Sequence, residues 1–384
     1  MTKAEYILII RCFKGEDMRI KLFEKGKIII YGLIILTGIY LSVSFSEEVY
    51  RGIHQGIALC CDVLVPSLFF LMVIAAFTVH SSVALYITRP LRGISRVCFS
   101  LPYVCMTPIL LSLIGGYPVG ARCVSILFKS GMITRDQAKK ASYIAVSAGP
   151  GFLINYIALA LLNHRESGVI LLTSEIISVI ITGVIVSKTV KCEKDPPKGT
   201  LRATSSSLLI DSVEDASKGV FSMCSMVLMF SSLTEILKSA LGGHETILLI
   251  LSNLLEITTG SNLSAGKIPL YLTAFFVGFS SLSVHCQIYA VLKDVRPHIG
   301  LFTLFRVLQG IIASLATYIL VSIFPETAAV FSTAEVTEAP RITSTVWGSL
   351  ALVLSSLFFL GSVTQGGNYV LNRRNHDRSH RSVR

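Results

Sequence analysis

The sequence has 384 residues, of which 52% are hydrophobic and only 15% are charged, and its mean hydropathy is +0.68. A water-soluble domain normally carries about a quarter charged residues. Almost uncharged runs cover residues 28–45, 63–79, 97–121, 169–186, 220–233 and 301–324. Several of them reach the roughly 18–20 residues that a helix needs to cross about 30 Å of hydrocarbon, and the short alternating segments of a β-barrel are missing. The composition excludes a soluble domain and predicts an all-α, polytopic membrane protein.

The net charge of +11 is concentrated next to the apolar runs. Basic residues collect at positions 14–27, 89–96, 129–140, 188–202, 293–296 and 373–384. Such clusters mark the cytoplasmic ends of membrane spans, and anionic lipid headgroups are sufficient partners for them. We therefore expect the lipid bilayer, and no nucleic acid, as the partner of this positive charge.

The sequence offers no motif for catalysis or for metal binding. Its nine cysteines include no C-x-x-C pair, and in apolar segments free cysteine behaves as a small hydrophobic residue. The H-E-x-x-H, G-x-S-x-G and Walker A patterns are also missing. We expect no catalytic residues, no metal and no cofactor, and therefore no enzyme.

The first spans follow from hydropathy and charge. The basic flank of the first apolar run, residues 28–45, puts the N-terminus in the cytoplasm. We interpret this run as an uncleaved spanning helix, because no cleavage site follows it. The chain then turns back through residues 52–79, where Pro66 predicts a kink, and reaches a cytoplasmic loop at 89–96.

A re-entrant hairpin is predicted next. The apolar stretch 101–114 is short and ends in the run 115–120 (G-G-Y-P-V-G), after which residues 121–128 lead directly to the basic cluster 129–140. If residues 101–114 crossed the membrane, this cluster would lie outside, against the charge rule. A hairpin with its tip at the glycines returns the chain to the cytoplasm. Irregular backbone is tolerated at membrane depth where protein or a polar cavity covers it.

The second half repeats the plan of the first. The span at 138–162 is interrupted at 147–151 (S-A-G-P-G), and residues 168–190 return the chain to a basic linker. In the second half, a short apolar stretch ends in a polar tip at 256–262 (E-I-T-T-G-S-N), and the following span is interrupted at 278–287. The tips and the interruptions therefore occupy corresponding places.

Charge flanks assign opposite orientations to the two halves. We expect two inverted repeats, each with a re-entrant hairpin and a broken helix, about eight crossings, and both termini in the cytoplasm. The predicted organisation is 1–50 for the N-terminus and first helix, 51–190 for the first repeat, 191–207 for the cytoplasmic linker, 208–324 for the second repeat, and 325–384 for an acidic outer loop, a last helix and a basic tail.

Broken helices at matching places in inverted halves indicate a transport site near the midplane. Each break exposes free N–H groups and carbonyls that attract polar ligands. One break alone is better explained by a packing kink, but four at corresponding places favour a site. The predicted substrate-binding residues are Gly115, Gly116, Tyr117, Pro118, Gly120, Ser147, Gly149, Pro150, Glu256, Thr258, Thr259, Gly260, Ser261, Ser283, His285 and Gln287.

Three of the polar side chains keep more than one interpretation. Glu256 and His285 are either site residues or satisfied structural groups, and His285 can face one cavity together with its neighbours only if the helix is broken there. Arg122 either anchors an anion or extends to the membrane surface. We interpret Asp62 and Glu175 as contacts between helices.

The hairpin residues resemble a known family. The runs 116–122 (G-Y-P-V-G-A-R) and 148–152 (A-G-P-G-F) look like those of the nucleoside-recognition (Gate) domain membrane proteins, most of all the sporulation integral membrane proteins of the YlbJ type. The runs 256–260 (E-I-T-T-G) and 282–287 (L-S-V-H-C-Q) are similar to the family's second Gate repeat. One departure concerns the first break, where the family often has asparagine and this chain has V-S-A at 146–148.

The resemblance implies a membrane carrier for a small polar or anionic metabolite, nucleoside-like or dipicolinate-like, linked to sporulation and binding its substrate between the two hairpins. The alternative is a non-transporting scaffold in spore-envelope or cell-wall assembly, and an intramembrane enzyme ranks third. A carrier predicts a polar cavity between the hairpin tips, whereas a scaffold predicts tips packed against apolar side chains. We expect a small-molecule substrate and a multi-pass location in the cell membrane, or in the forespore membrane of sporulating cells. A homo-oligomer is left open.

Overall fold

The computed structural model describes residues 29–81, 83–192 and 208–324, and every regular element in these ranges is helical. The chain divides after Arg51 into two compact units, and the hydrophobic core lies in the second of them. The predicted outer loop, last span and basic tail, and most of the linker, fall outside the described residues.

In the part of the first half that the structure describes there are eight helices, besides short helical turns. They are α1 (Ile29–Ser44), α2 (Ser46–His80), α3 (Val83–Thr88), α4 (Met106–Gly115), α5 (Tyr117–Lys129), α6 (Arg135–Ser142), α7 (Gly151–Leu161) and α8 (Arg165–Thr189). Short helical turns connect α3 to α4. α2 continues through the proline at position 66 by way of a π-helical turn, Cys60–Leu64. Because proline has no N–H to donate, a wider turn directly before it accommodates the lost bond without ending the helix.

The second half contains six helices in the described residues. They are α9 (Leu208–Ala240), α10 (Glu245–Leu255), α11 (Ile257–Ser264), α12 (Leu270–Phe279), α13 (Leu282–Val291) and α14 (Ile299–Ile323). α12 and α13 follow each other with a two-residue interruption, and together they form one apolar segment.

Among the described residues, five segments are long and apolar enough to cross a membrane: α2, α8, α9, α12 with α13, and α14. A sixth is added if two helical stretches, Tyr86–Phe99 and Tyr103–Gly115, which meet at 92°, form one span. The predicted class, a helical multi-pass membrane protein, is confirmed. The number of eight crossings and the inverted repeats stay predictions.

Two helical hairpins are too short to cross the bilayer. The arms of the first, α4 and α5, have 10 and 13 residues, and those of the second, α10 and α11, have 11 and 8. Ten residues of helix extend about 15 Å, half of the hydrocarbon thickness. The first hairpin turns at Gly116, whose φ of +89° suits glycine. Its arms come so close that a Cβ on Gly120 would lie 2.6 Å from the Ser112 Cβ.

Loops that were predicted to share one membrane side lie together. Lys129, at the end of the first hairpin, pairs with Asp294 in the loop before α14 at 3.2 Å. Lys140 donates from Nζ to the carbonyl of Ser187, near the end of α8, at 3.4 Å. The first hairpin therefore leaves the helical core at the same end as these two loops, as a re-entrant segment does.

This arrangement predicts a labelling pattern. In a cysteine-free background, Ser130→Cys and Lys293→Cys should react with a membrane-impermeant maleimide from one side of sealed vesicles. Arg165→Cys should react from the other, because α8 is 25 residues long and separates position 165 from the Lys140 contact. Labelling of positions 130 and 293 from opposite sides would contradict the hairpin.

Candidate functional site

The tips of the two hairpins border the same cavity. The first hairpin contributes Gly116 and Tyr117, and the second contributes Glu256 and Thr258. The cavity has a volume of about 40 Å³, which is room for about three water molecules at most. The described residues that line it are Leu64, Leu68, Gly116, Tyr117, Pro118, Gly149, Phe152, Met223, Val227, Glu256, Ile257, Thr258, Val284 and Gln287. The walls are thus mainly apolar, with polar groups concentrated at the tips.

Two tyrosines connect each half of the chain to the backbone of the other. The hydroxyl of Tyr117, in the first hairpin, donates to the carbonyl of Val277 at 2.7 Å, just before the second break. The hydroxyl of Tyr156, which follows the first break, donates to the carbonyl of Thr258 in the second hairpin at 3.1 Å. Both bonds are buried, where a carbonyl without a donor costs several kcal/mol.

Glu256 is a helix cap as well as a cavity residue. Its Oε2 accepts the N–H of Thr259 at 2.6 Å, at the first turn of α11, where a negative charge is stabilised by the helix dipole. The Thr259 hydroxyl is hydrogen-bonded to Ser231 of α9 at 2.8 Å. The structural and functional interpretations of Glu256 are therefore compatible, because the same side chain caps α11 and borders the cavity.

The first break is held by a buried arginine. The interruption was predicted at 147–151, but the residues that are not helical are 143–149, and the next helix has already begun at Pro150 and Gly151. Arg306 of α14 is 0% exposed, and its guanidinium donates to the carbonyls of Val146 and Tyr143 and to Oε1 of Gln309. These carbonyls would otherwise lack donors, since the helix that should supply them has ended.

Glu175 of α8 completes this network. Its Oε1 accepts the N–H of Ala148 at 3.3 Å and the Nε2 of Gln309 at 3.0 Å, so the predicted contact with another helix is present. Arg306, in contrast, was absent from the prediction. It is the only Asp, Glu, Lys or Arg residue in the run 301–324, and a lone charge within a span is a functional signal in itself.

The second break is shorter than predicted. Only Ser280 and Ser281 depart from helix, with φ of +69° and +33°. Positions 285 and 287 lie on the regular helix α13 and point about 200° apart. Gln287 borders the cavity. His285 instead lies between the rings of Phe279 and Phe302, at centroid distances of 5.0 and 5.1 Å, and its Nδ1 donates to the Ser281 carbonyl.

The remaining predicted site residues lie around the cavity without bordering it. Ser147 donates to the Ser112 hydroxyl at 3.1 Å, and Ser283 accepts from Gln287 at 3.3 Å. Ser261 borders a second cavity, of about 10 Å³. The others are Gly115, Gly120, Pro150, Thr259 and Gly260, which lie in the hairpins or at the start of α7.

Two charged residues outside the predicted site have clear positions. Arg122 pairs with Asp215 of α9 at 2.8 Å, so its charge is balanced within the protein. Asp62 has an exposed side chain in the π-helical turn of α2 and does not border the cavity.

Comparison with known proteins supports the membrane class. The chain is 21% identical, over 321 residues, to the sporulation integral membrane protein YlbJ of Bacillus subtilis (strain 168), and the alignment covers 72% of this chain and 79% of that protein. The sequence matches no family model, and it matches no solved structure. The resemblance to a YlbJ protein is confirmed, whereas the Gate domain stays a prediction.

The close packing of the first hairpin predicts a specific sensitivity. Gly120→Ala should destabilise the protein by about 1–3 kcal/mol, because the new Cβ would clash with the carbonyl of Ala145 and with Ser112. The thermal midpoint in detergent should fall by about 2–4 °C for each kcal/mol. Gly93→Ala is the matched control, since nothing lies within 4 Å of a Cβ there. Equal midpoints for the two variants would contradict the packing.

Proposed function

We propose that this protein is a membrane carrier for a small polar metabolite, bound between the tips of the two hairpins. The observation that carries the proposal is that both tips, with the Glu256 carboxylate and the Gln287 amide, border one cavity. Carboxylate and amide groups at a site otherwise walled by apolar side chains are typical of small-molecule recognition. Burying an ionisable side chain within the membrane costs free energy, so such a residue indicates a functional site.

The matching residue spacing of the two hairpins supports a carrier built from inverted repeats. Ser112, Gly116 and Gly120 of the first hairpin have the same spacing as Ser252, Glu256 and Gly260 of the second. In each hairpin the residue at the turn donates its N–H to the serine carbonyl at 2.9 Å. A broken segment follows each hairpin at a similar distance, and carriers built from inverted repeats bind their substrates where such segments meet.

The charge of the lining favours a neutral substrate over an anionic one. Glu256 is the charged residue among the cavity-lining side chains of the described chain, whereas Arg122 and Arg306 have acceptors within the protein. A dicarboxylate would meet the like charge of Glu256, while a nucleoside-like molecule offers hydroxyl and amino donors to it. We therefore place nucleoside-like substrates ahead of dipicolinate-like ones.

Transport requires a conformation more open than this one. A cavity of about 40 Å³ is far below the roughly 300 Å³ or more of a metabolite site. The apolar walls come from α2 and α9, through Leu64, Leu68, Met223 and Val227. In our proposal the hairpin tips move away from these two helices to admit substrate from one side at a time.

The relative gives the biological setting. Because that protein is named for sporulation and the alignment spans most of both chains, we place the carrier in the membrane of a spore-forming cell, with both termini cytoplasmic as the charge flanks predict. The scaffold in spore-envelope assembly remains the competing function for the same setting.

The central test is uptake by purified protein in lipid vesicles, with a panel of nucleosides and aromatic dicarboxylates. Glu256→Gln should lower uptake of the preferred substrate about tenfold to a hundredfold below saturation, since hydrogen bonds to a charged group contribute about 1.5–3 kcal/mol. Asp62→Asn is the matched control, because it removes a carboxylate that does not border the cavity, and it should leave uptake near the wild-type level.

A sporulation assay separates the carrier from the scaffold. Cells that produce Glu256→Gln at the wild-type level, with an unchanged thermal midpoint, should show the defect of a deletion strain if the protein is a carrier. A scaffold that keeps its fold and surface should support normal sporulation with this substitution. Normal sporulation, together with no uptake of any substrate, would overturn the proposed function.

A further inference from the structure

We propose that Arg306 is a built-in cation that takes the place of a bound metal ion at the first helix break. The inference deepens the proposed carrier function, on which its transport consequence rests. That consequence is that transport does not depend on a sodium gradient acting at this break. The structural part of the inference concerns the resting protein alone and can be tested without any substrate.

The C-terminal end of a helix that breaks inside the membrane favours a cation. The last carbonyls of a helix have no internal donors, and the helix dipole makes that end negative. Unwound carbonyls in carriers accordingly coordinate small cations. Here α6 ends at Ser142, and the next residues, up to position 149, are not helical. The carbonyls of Tyr143 and Val146 are the groups that a cation would use.

The guanidinium of Arg306 occupies these acceptors. It donates to both carbonyls, and the Gln309 side chain shares the Val146 carbonyl at 3.4 Å. A guanidinium is planar, permanently charged and forked, so one group satisfies two carbonyls that face it together. Because this guanidinium is covalently attached to the chain and fully buried, it does not exchange with cations from solution as a bound ion does.

The countercharge is also supplied by the protein. The side-chain amide of Gln309 connects the two charged groups. Its Oε1 accepts a hydrogen bond from the Arg306 guanidinium, and its Nε2 donates one to the Glu175 carboxylate. Glu175 also accepts the N–H of Ala148 on the far side of the break. The positive group therefore binds the free carbonyls and the negative group binds the free N–H, so that both kinds of orphan group at the break are matched by charge.

This network leads to the cavity. Gly149, directly after the held segment, borders the cavity and packs so closely on the first hairpin that a Cβ there would lie 3.0 Å from the Gly116 nitrogen. At the second break the comparable carbonyl, that of Val277, receives the neutral hydroxyl of Tyr117 instead. The charge at the first break thus comes from the chain itself, and Arg306 is a positioning residue for that side of the site.

The test replaces the tethered guanidinium by a free one. Purified Arg306→Ala should have a lower thermal midpoint than wild type, and millimolar guanidinium should raise it. Urea, the neutral analogue of the same shape, should not. Arg92→Ala, which removes an exposed arginine, is the control and should respond to neither. A second variant, Arg306→Gln, retains donors without the charge and serves the same comparison if the alanine variant does not fold.

The wild-type protein provides an independent arm. Replacing sodium by choline in the buffer should leave its midpoint unchanged, whereas Arg306→Ala should gain a midpoint that rises with sodium. Equal responses of the variant to guanidinium and urea would overturn the inference, as would a sodium-dependent midpoint in wild type that Arg306→Ala abolishes. If the inference holds while no substrate is transported, the carrier function fails and the tethered cation stands.

Discussion

The constraint on which this structure depends is that hydrocarbon offers no partners to a free peptide group. A continuous helix satisfies its own backbone, but two hairpin turns and two interrupted helices leave carbonyls and N–H groups without internal partners. At the two interruptions these groups are matched by side chains from elsewhere in the chain: Arg306 and Glu175 at the first break, and Tyr117 at the second. The irregular backbone is therefore what determines which helices must pack together.

This dependence explains why charged groups are tolerated in the core. Removing one member of a buried pair is strongly destabilising, because the other is left without compensation. In this protein the pair is joined through Gln309, and both ends are attached to the same seven-residue break, 143–149. α8 and α14 are thereby connected through the backbone that lies between them. The core is specified by polar matching as much as by apolar packing.

The same matching gathers the groups that a ligand can use. The reciprocal bonds of Tyr117 and Tyr156 bring each hairpin to the irregular or adjacent segment of the other half, and the cavity lies where these segments meet. Glu256 belongs to both systems, since it caps α11 and borders the cavity. The same polar groups therefore stabilise the broken helices and border the cavity, where a carrier can use them to bind its substrate.

The sequence by itself determined the membrane class, the short hairpins and the first break, because these follow from local composition: apolar length, basic flanks, and glycine with proline. It predicted a wide second break, but two serines with positive φ suffice there. The side chains that follow lie on a regular helix, which separates His285 from Gln287. Arg306 and its carbonyl partner at position 146 are 160 residues apart. Only the tertiary structure decided that contact, because a free carbonyl specifies the need for a donor but not which distant residue supplies it.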